Sequence, residues 1–248
     1  MRKISFLALA FSSSSAFAAS SYIEGNIQFN SSYLYDSKTT AKMAAGHTFD
    51  TDTTIKLKIE DIAIGATPHS DGHHHHHNMY YGHRVRAPLV TLGVEQRFQM
   101  SDNFWLGAGY EHLMQVGETM QYRPLFKIGY DFEQGLSLSH RTRIEVYAQH
   151  DRWGYKPDTD YRFDNKIAYT FQTHPVTIHY NNVYHSIGAY GPYYPYTDST
   201  MDHEFRLTLT KYAFQPYFEY KSQGDVKVPR YGHGVANSAF LIGGIYNF

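Results

Sequence analysis

The sequence predicts an all-β fold: a transmembrane, antiparallel up-and-down β-barrel of twelve strands. Three observations predict it. An export signal stands at the N-terminus, apolar and polar residues alternate along most of the remaining chain, and the last strand is aromatic.

The N-terminus sets the compartment. Arg2 and Lys3 precede a short, mostly apolar run over residues 4–11, and Ala16-Phe17-Ala18 has the small-x-small form of a processing site. The run is far shorter than the ~20 residues of a membrane-spanning helix. Residues 1–18 are therefore expected to be a signal peptide cleaved after Ala18, with 19–248 forming the barrel. Without Arg2 and Lys3 the chain keeps 20 basic residues against 23 acidic ones, a formal charge of −3. That balance gives no reason to expect a nucleic-acid partner, which calls for a basic excess.

Composition points the same way. The 248 residues include no cysteine, so an exported chain must be stabilised by something other than disulfides. A sheet closed on itself in lipid meets that need. Tyr and Phe are abundant (23 and 16), yet mean hydropathy is only −0.49. Strands whose residues alternate between lipid and water keep the average low, while aromatics collect at the membrane interfaces.

Period-2 alternation marks the strands. Ile23, Gly25, Ile27 and Phe29 alternate with Glu24, Asn26, Gln28 and Asn30. Tyr122, Pro124, Phe126, Ile128 and Tyr130 alternate with Gln121, Arg123, Lys127 and Asp131. After a tight Glu133-Gln134-Gly135 turn come Leu136, Leu138, Ile144, Val146 and Ala148, opposed to Ser137, Ser139, Arg141, Arg143, Glu145 and Gln149. Phe205, Leu207 and Leu209 oppose Glu204, Arg206, Thr208 and Thr210. Five short turns are expected at 50–53, 99–103, 133–135, 172–175 and 212–214. Six connections on the other side are expected at 31–37, 66–82, 117–118 (short, or lengthened by frayed strands), 152–160, 188–199 and 224–231. Eleven connections give twelve strands, with short turns on the periplasmic side and long loops outside. Phe248, Tyr246, Ile242 and Phe240 share one face of the final strand. Outer-membrane barrels end on such a strand, which the barrel-assembly machinery takes as an edge to pair. The expected location is the bacterial outer membrane, among its lipids.

Twelve strands leave a lumen. The alternation turns Lys42, Lys56, Lys58, Arg97, Arg123, Lys127, Arg141, Arg143, Arg162, Lys166, Arg206 and Lys221 inward. Opposed to them are Glu24, Glu60, Glu95, Glu111, Glu145, Asp164, Asp202, Glu204 and Glu219. The wall is mixed, with a modest basic excess. Arginine's planar fork grips carboxylates through paired hydrogen bonds. Arg123, Lys127, Arg141, Arg143, Arg97, Arg162, Lys166 and Arg206 are thus the expected solute-binding cations. The competing reading is that the arginines pair with Glu145, Asp131 and their neighbours and brace the wall.

Tyr122-Arg123-Pro124, Gly129, Leu136-Ser137 and the Arg141/Arg143 strand resemble the central hairpin of the oligogalacturonate-specific porins, a family that includes a sialic-acid channel. The segment from Asp202 through Gln215-Pro216-Tyr217-Phe218-Glu219 to Tyr246-Asn247-Phe248 is similar to that family's last hairpins. The resemblance implies a monomeric twelve-stranded channel with basic tracks facing each other across the lumen, passing acidic mono- and oligosaccharides. Two features depart from it. The wall is less basic, and a run of five histidines, His73 to His77, falls in the first long loop. Those histidines read as a low-complexity loop or an inserted tag ahead of a metal site. The aromatic run at 190–196 reads as an interface or loop-packing segment ahead of a sugar platform.

The expected function is passive uptake of acidic sugars, oligogalacturonate or related uronates, with no cofactor, no metal and no catalysis. The alternatives are a general diffusion porin, an adhesin, or a barrel lipase or protease. The enzyme reading lacks a Ser–His pair on one strand face, because Ser139-His140 and His185-Ser186 are adjacent residues that point oppositely. His150-Asp151 and Asp202-His203 come without a second acidic pair.

Overall fold

The computed structural model describes residues 19–34, 37–65, 87–150, 154–189, 197–224 and 237–248. Twelve strands succeed one another along the chain: β1 (Ser20–Leu34), β2 (Ser37–Thr48), β3 (Thr53–Ile64), β4 (Leu89–Gln99), β5 (Phe104–Gln115), β6 (Glu118–Asp131), β7 (Leu136–Tyr147), β8 (Asp160–Thr170), β9 (Val176–Ile187), β10 (Asp198–Leu209), β11 (Phe214–Gln223) and β12 (Asn237–Asn247). Each pairs antiparallel with its sequence neighbours, and β1 pairs with β12 to close the barrel. Closure removes the unpaired sheet edges that lipid could not satisfy. The last residue takes part in it: Phe248 and Ser21 exchange both backbone hydrogen bonds, at 2.9 and 3.0 Å.

The alternation behaves as expected. On β6, Tyr122, Phe126, Ile128 and Tyr130 stand exposed on the outer surface while Gln121 and Leu125 are buried inside. Around the barrel the pattern of a water-soluble protein is inverted. Ile27, Val94, Phe205 and Ile242 lie outside, while Thr91, Glu111, Thr177 and Thr208 are the most deeply buried polar residues. Burying one such apolar side chain is worth about 1.5–3 kcal/mol, and here only lipid can supply that burial. Aromatic pairs gird the turn end, with ring centroids 4.6 Å apart for Tyr130–Phe132, 4.9 Å for Tyr169–Phe171 and 5.9 Å for Tyr246–Phe248. An outward apolar band with an aromatic girdle is the layout of bacterial outer-membrane barrels.

Three details differ from the sequence expectation. β1 runs on to Leu34 and β2 starts at Ser37, so most of the loop expected at 31–37 is strand. The connection expected at 117–118 is a two-residue hairpin. Gln115 faces Glu118, and Val116 and Gly117 both have positive φ (53° and 79°), as a right-twisted ribbon demands. A bulge at Asp61 (φ 60°) shifts the β2–β3 register between Met43↔Ile59 and Ala41↔Ile62. Residues 66–86 lie outside the described residues, as do residues 1–18, where the signal peptide is expected, and the aromatic run at 190–196; His73 to His77 fall within the first of these stretches.

Candidate functional site

The inward face of the barrel is a charged wall, and its layout comes from the register of three strands. Lys127 on β6 pairs with Arg141 on β7, which pairs with Asp164 on β8. One rung toward the outside, Leu125 pairs with Arg143 and Arg143 with Arg162. One rung farther, Glu145 pairs with Asp160, and Arg123 reaches Glu145 at 3.9 Å. Arg123, Arg141 and Arg143 form a basic ladder over β6 and β7, which Arg162 extends onto β8.

Glycines decide how far these side chains reach. Lys127 on β6 forms an ion pair with Glu95 on β4, passing over β5 at Gly107 and Gly109. Lys56 on β3 contacts Glu111 on β5 at 2.8 Å, passing over Gly93 on β4. A Cβ at Gly93 would overlap the Lys56 side chain, and one at Gly109 would overlap Glu95 and the Val94 carbonyl. These strands carry glycine where a charged side chain must lie across the sheet.

The wall is densely paired. Eleven of the twelve inward cations lie within 4.0 Å of a carboxylate. The twelfth, Lys166, sits in the field of Arg206, Glu204, Glu219 and Lys127. Asp131 braces the wall as the pairing reading expected, accepting from Arg97 at 3.2 Å and Trp105 at 3.1 Å. One acid outside the expected inward set also belongs to it: Asp160 accepts from Tyr147 at 2.6 Å. The pairing reading of the sequence therefore holds over most of the wall. Arg143, wedged between Glu111 and Glu145 with a side chain only 6% exposed, braces the wall. Arg123 and Lys56 lie in the same buried network. By contrast Arg141 and Arg162, 22% and 23% exposed, face the bore. Lys127 and Arg206 face it as well, at 27% and 22%. Arg97 stacks 4.5 Å over Trp105 near the turn end.

Charge is divided around the circumference. The arc from β2 to β8 holds ten of these cations (all but Arg206 and Lys221) against seven acids. The arc from β9 through β12 to β1 holds Arg206 and Lys221 against Glu24, Asp202, Glu204 and Glu219. The bore thus has one basic side and one acidic side, where the resemblance implied two basic tracks. Across the acidic side, Tyr217 donates to Glu24 at 2.8 Å and accepts from Asn26 at 2.8 Å, and Arg206 stacks 4.1 Å over its ring.

Two groups went unnoticed in the sequence. His179 and Asn181 point inward from β9, and the Nε2 of the first and the Oδ1 of the second are buried without a hydrogen-bond partner. Their inward parity on β9 was the signal available. For catalysis, Ser139 and His140 face opposite sides as expected. Ser21 Oγ does meet His47 Nδ1 at 2.8 Å across β1 and β2. Among the described residues, no carboxylate orients His47. No group of three or more His, Asp or Glu side chains suited to a metal is found there either.

No family model matches the sequence, and no curated relative does. Solved structures show its fold. The NanC porin superposes with a TM-score of 0.67 over 90% of this chain and 98% of its own, at 14% identity. The KdgM porin gives a TM-score of 0.61 over 92% and 99%, at 14% identity, and it has also been seen in complex with disordered oligogalacturonate. An outer-membrane channel of Pseudomonas putida F1 gives 0.61 over 95% and 97%, at 11% identity. The chain has the fold of these porins along nearly its whole length.

Proposed function

We propose that this chain is a passive outer-membrane channel for acidic saccharides of the uronate type. One observation carries the reading: Arg141 and Arg162 converge on the single carboxylate of Asp164, each at 2.8 Å. Two guanidiniums on one carboxylate leave a net positive charge. Among the described residues, the Nη1 of each has no hydrogen-bond partner, so donors remain for a passing carboxylate. Lys127, paired across from Arg141, extends the site sideways onto β6.

The divided bore suits a sugar acid. Its carboxylate is drawn to the β2–β8 arc, and its hydroxyls can donate to Glu24 and Glu204 on the β9–β1 arc. Conduction needs contacts strong enough to admit a solute and weak enough to release it. Basic groups already shared with carboxylates provide moderate attraction of that kind. The oligogalacturonate complex of KdgM, which shares the fold, supports the same substrate class.

A second reading, unselective diffusion, draws on the near balance of twelve cations and eleven acids. One experiment separates the two. The purified protein in liposomes is given galacturonate oligomers and neutral oligosaccharides of equal size at low salt. The acidic oligomers should enter several times faster, and an Arg141→Gln, Arg162→Gln double variant should erase the difference. Equal entry of both solutes into the unaltered protein would establish unselective diffusion instead.

A further inference from the structure

The outer surface is apolar at mid-strand almost all the way round, with Ile27, Leu57, Val94, Phe126, Phe218 and Ile242 standing there on six different strands. Four consecutive strands break the pattern. His140 is the fifth of twelve residues in β7, Asn165 the sixth of eleven in β8, Asn182 the seventh of twelve in β9 and His203 the sixth of twelve in β10. They are direct cross-strand partners: His140 faces Asn165, Asn165 faces Asn182, and Asn182 faces His203. All four have the parity of their outward neighbours Leu138, Ile167, Ile178 and Phe205. At ~4.8 Å between strands, they form a polar row roughly 14 Å wide, halfway through the bilayer.

The row is only half satisfied by its own chain. His140 Nδ1 meets Asn165 Oδ1 at 2.8 Å, its Nε2 meets the Thr142 hydroxyl at 2.9 Å, and His203 Nδ1 meets the Tyr180 hydroxyl at 2.9 Å. The Asn165 amide nitrogen, both polar atoms of the Asn182 side chain and His203 Nε2 have no hydrogen-bond partner among the described residues. Hydrocarbon offers them none, and lipid headgroups lie at the two surfaces, away from mid-depth.

We propose that the outer wall formed by β7–β10 docks a second copy of this chain within the membrane. A bilayer holds every copy at one depth and in one orientation, so a second copy related by a two-fold axis along the membrane normal brings the same row to the same height. The amides at its centre, Asn165 and Asn182, both donate and accept, which makes the surface self-complementary as a two-fold interface requires. The pairing leaves the basic arc of each bore untouched and gives a dimer of independent channels. It goes beyond the single-molecule unit that the family resemblance implies.

The chain contains no cysteine, so one introduced thiol reports on one place. Asn182→Cys and, on the far wall at similar depth, Val94→Cys are treated with a short bis-maleimide in native outer membranes. Asn182→Cys should give a covalent species of twice the chain's mass, at least tenfold more abundant than with Val94→Cys. No dimer, equal dimer from both positions, or adducts only with other proteins would each overturn the proposal. An Asn165→Leu, Asn182→Leu variant, shown to be folded by its heat-modifiable gel mobility, should run as a monomer in mild detergent by native mass spectrometry while the unaltered chain runs as a dimer. Two monomers, or two dimers, would also overturn it.

Discussion

Glu111 shows what a single residue contributes to this wall. Its side chain is fully buried, and its carboxylate holds Lys56 at 2.8 Å and Arg143 at 3.1 Å. Those cations come from β3 and β7, on either side of β5, so one carboxylate ties five strands together. Removing one partner of a buried ion pair leaves a charge without compensation and costs about 3–5 kcal/mol. Glu111→Gln keeps the shape and removes the charge. It should lower the stability read from urea unfolding in lipid vesicles by that amount, whereas Arg141→Gln, at the exposed edge, should change it little. Equal effects would mean that bracing and solute-facing positions are not distinct.

At the scale of elements, the β6–β7 hairpin sets the register that places Lys127 beside Arg141. Its turn depends on Gly135, which has φ of 89° and whose added Cβ would collide with the Thr170 carbonyl of β8. Gly135→Ala therefore meets both an unfavourable backbone region and a steric overlap. It should destabilise the barrel by about 1–3 kcal/mol, read as a lower melting temperature of the heat-modifiable band. An unchanged melting temperature would show that the turn tolerates another geometry. This hairpin was also the most legible part of the sequence, because a period of two and a Gly-containing turn are local signals. The turn at Val116-Gly117 was legible to within one residue, since valine rarely adopts positive φ, and the Asp61 bulge was not legible, because an aspartate within a strand does not announce one. The partners of the inward charges were hidden for a different reason. Alternation assigns a face, but pairs such as Lys127 with Glu95 and Lys56 with Glu111 span two strands and depend on the glycines between them. The inward acid Asp160 was missed because it sits at a strand end, next to a loop.

For the whole molecule, closure of the sheet puts twelve cations and eleven acids into one cylinder and divides them unevenly around it. The division is a property of the assembled barrel that no single strand displays. Charges summed along the chain give only a modest excess and cannot say on which side of the bore it lies. The uneven division creates a field directed across the bore. Because a Debye length is about 10 Å at 0.1 M salt and 3 Å at 1 M, solute selection by that field should fade as salt rises. The most direct measurement is a single-channel recording in a planar bilayer across a low-salt gradient, with oligogalacturonate then added to one side. The divided bore predicts a reversal potential on the anion side and transient current blocks by the oligomer, both reduced in the Arg141→Gln, Arg162→Gln variant and in 1 M salt. A cation-selective current that oligogalacturonate leaves unblocked would contradict it.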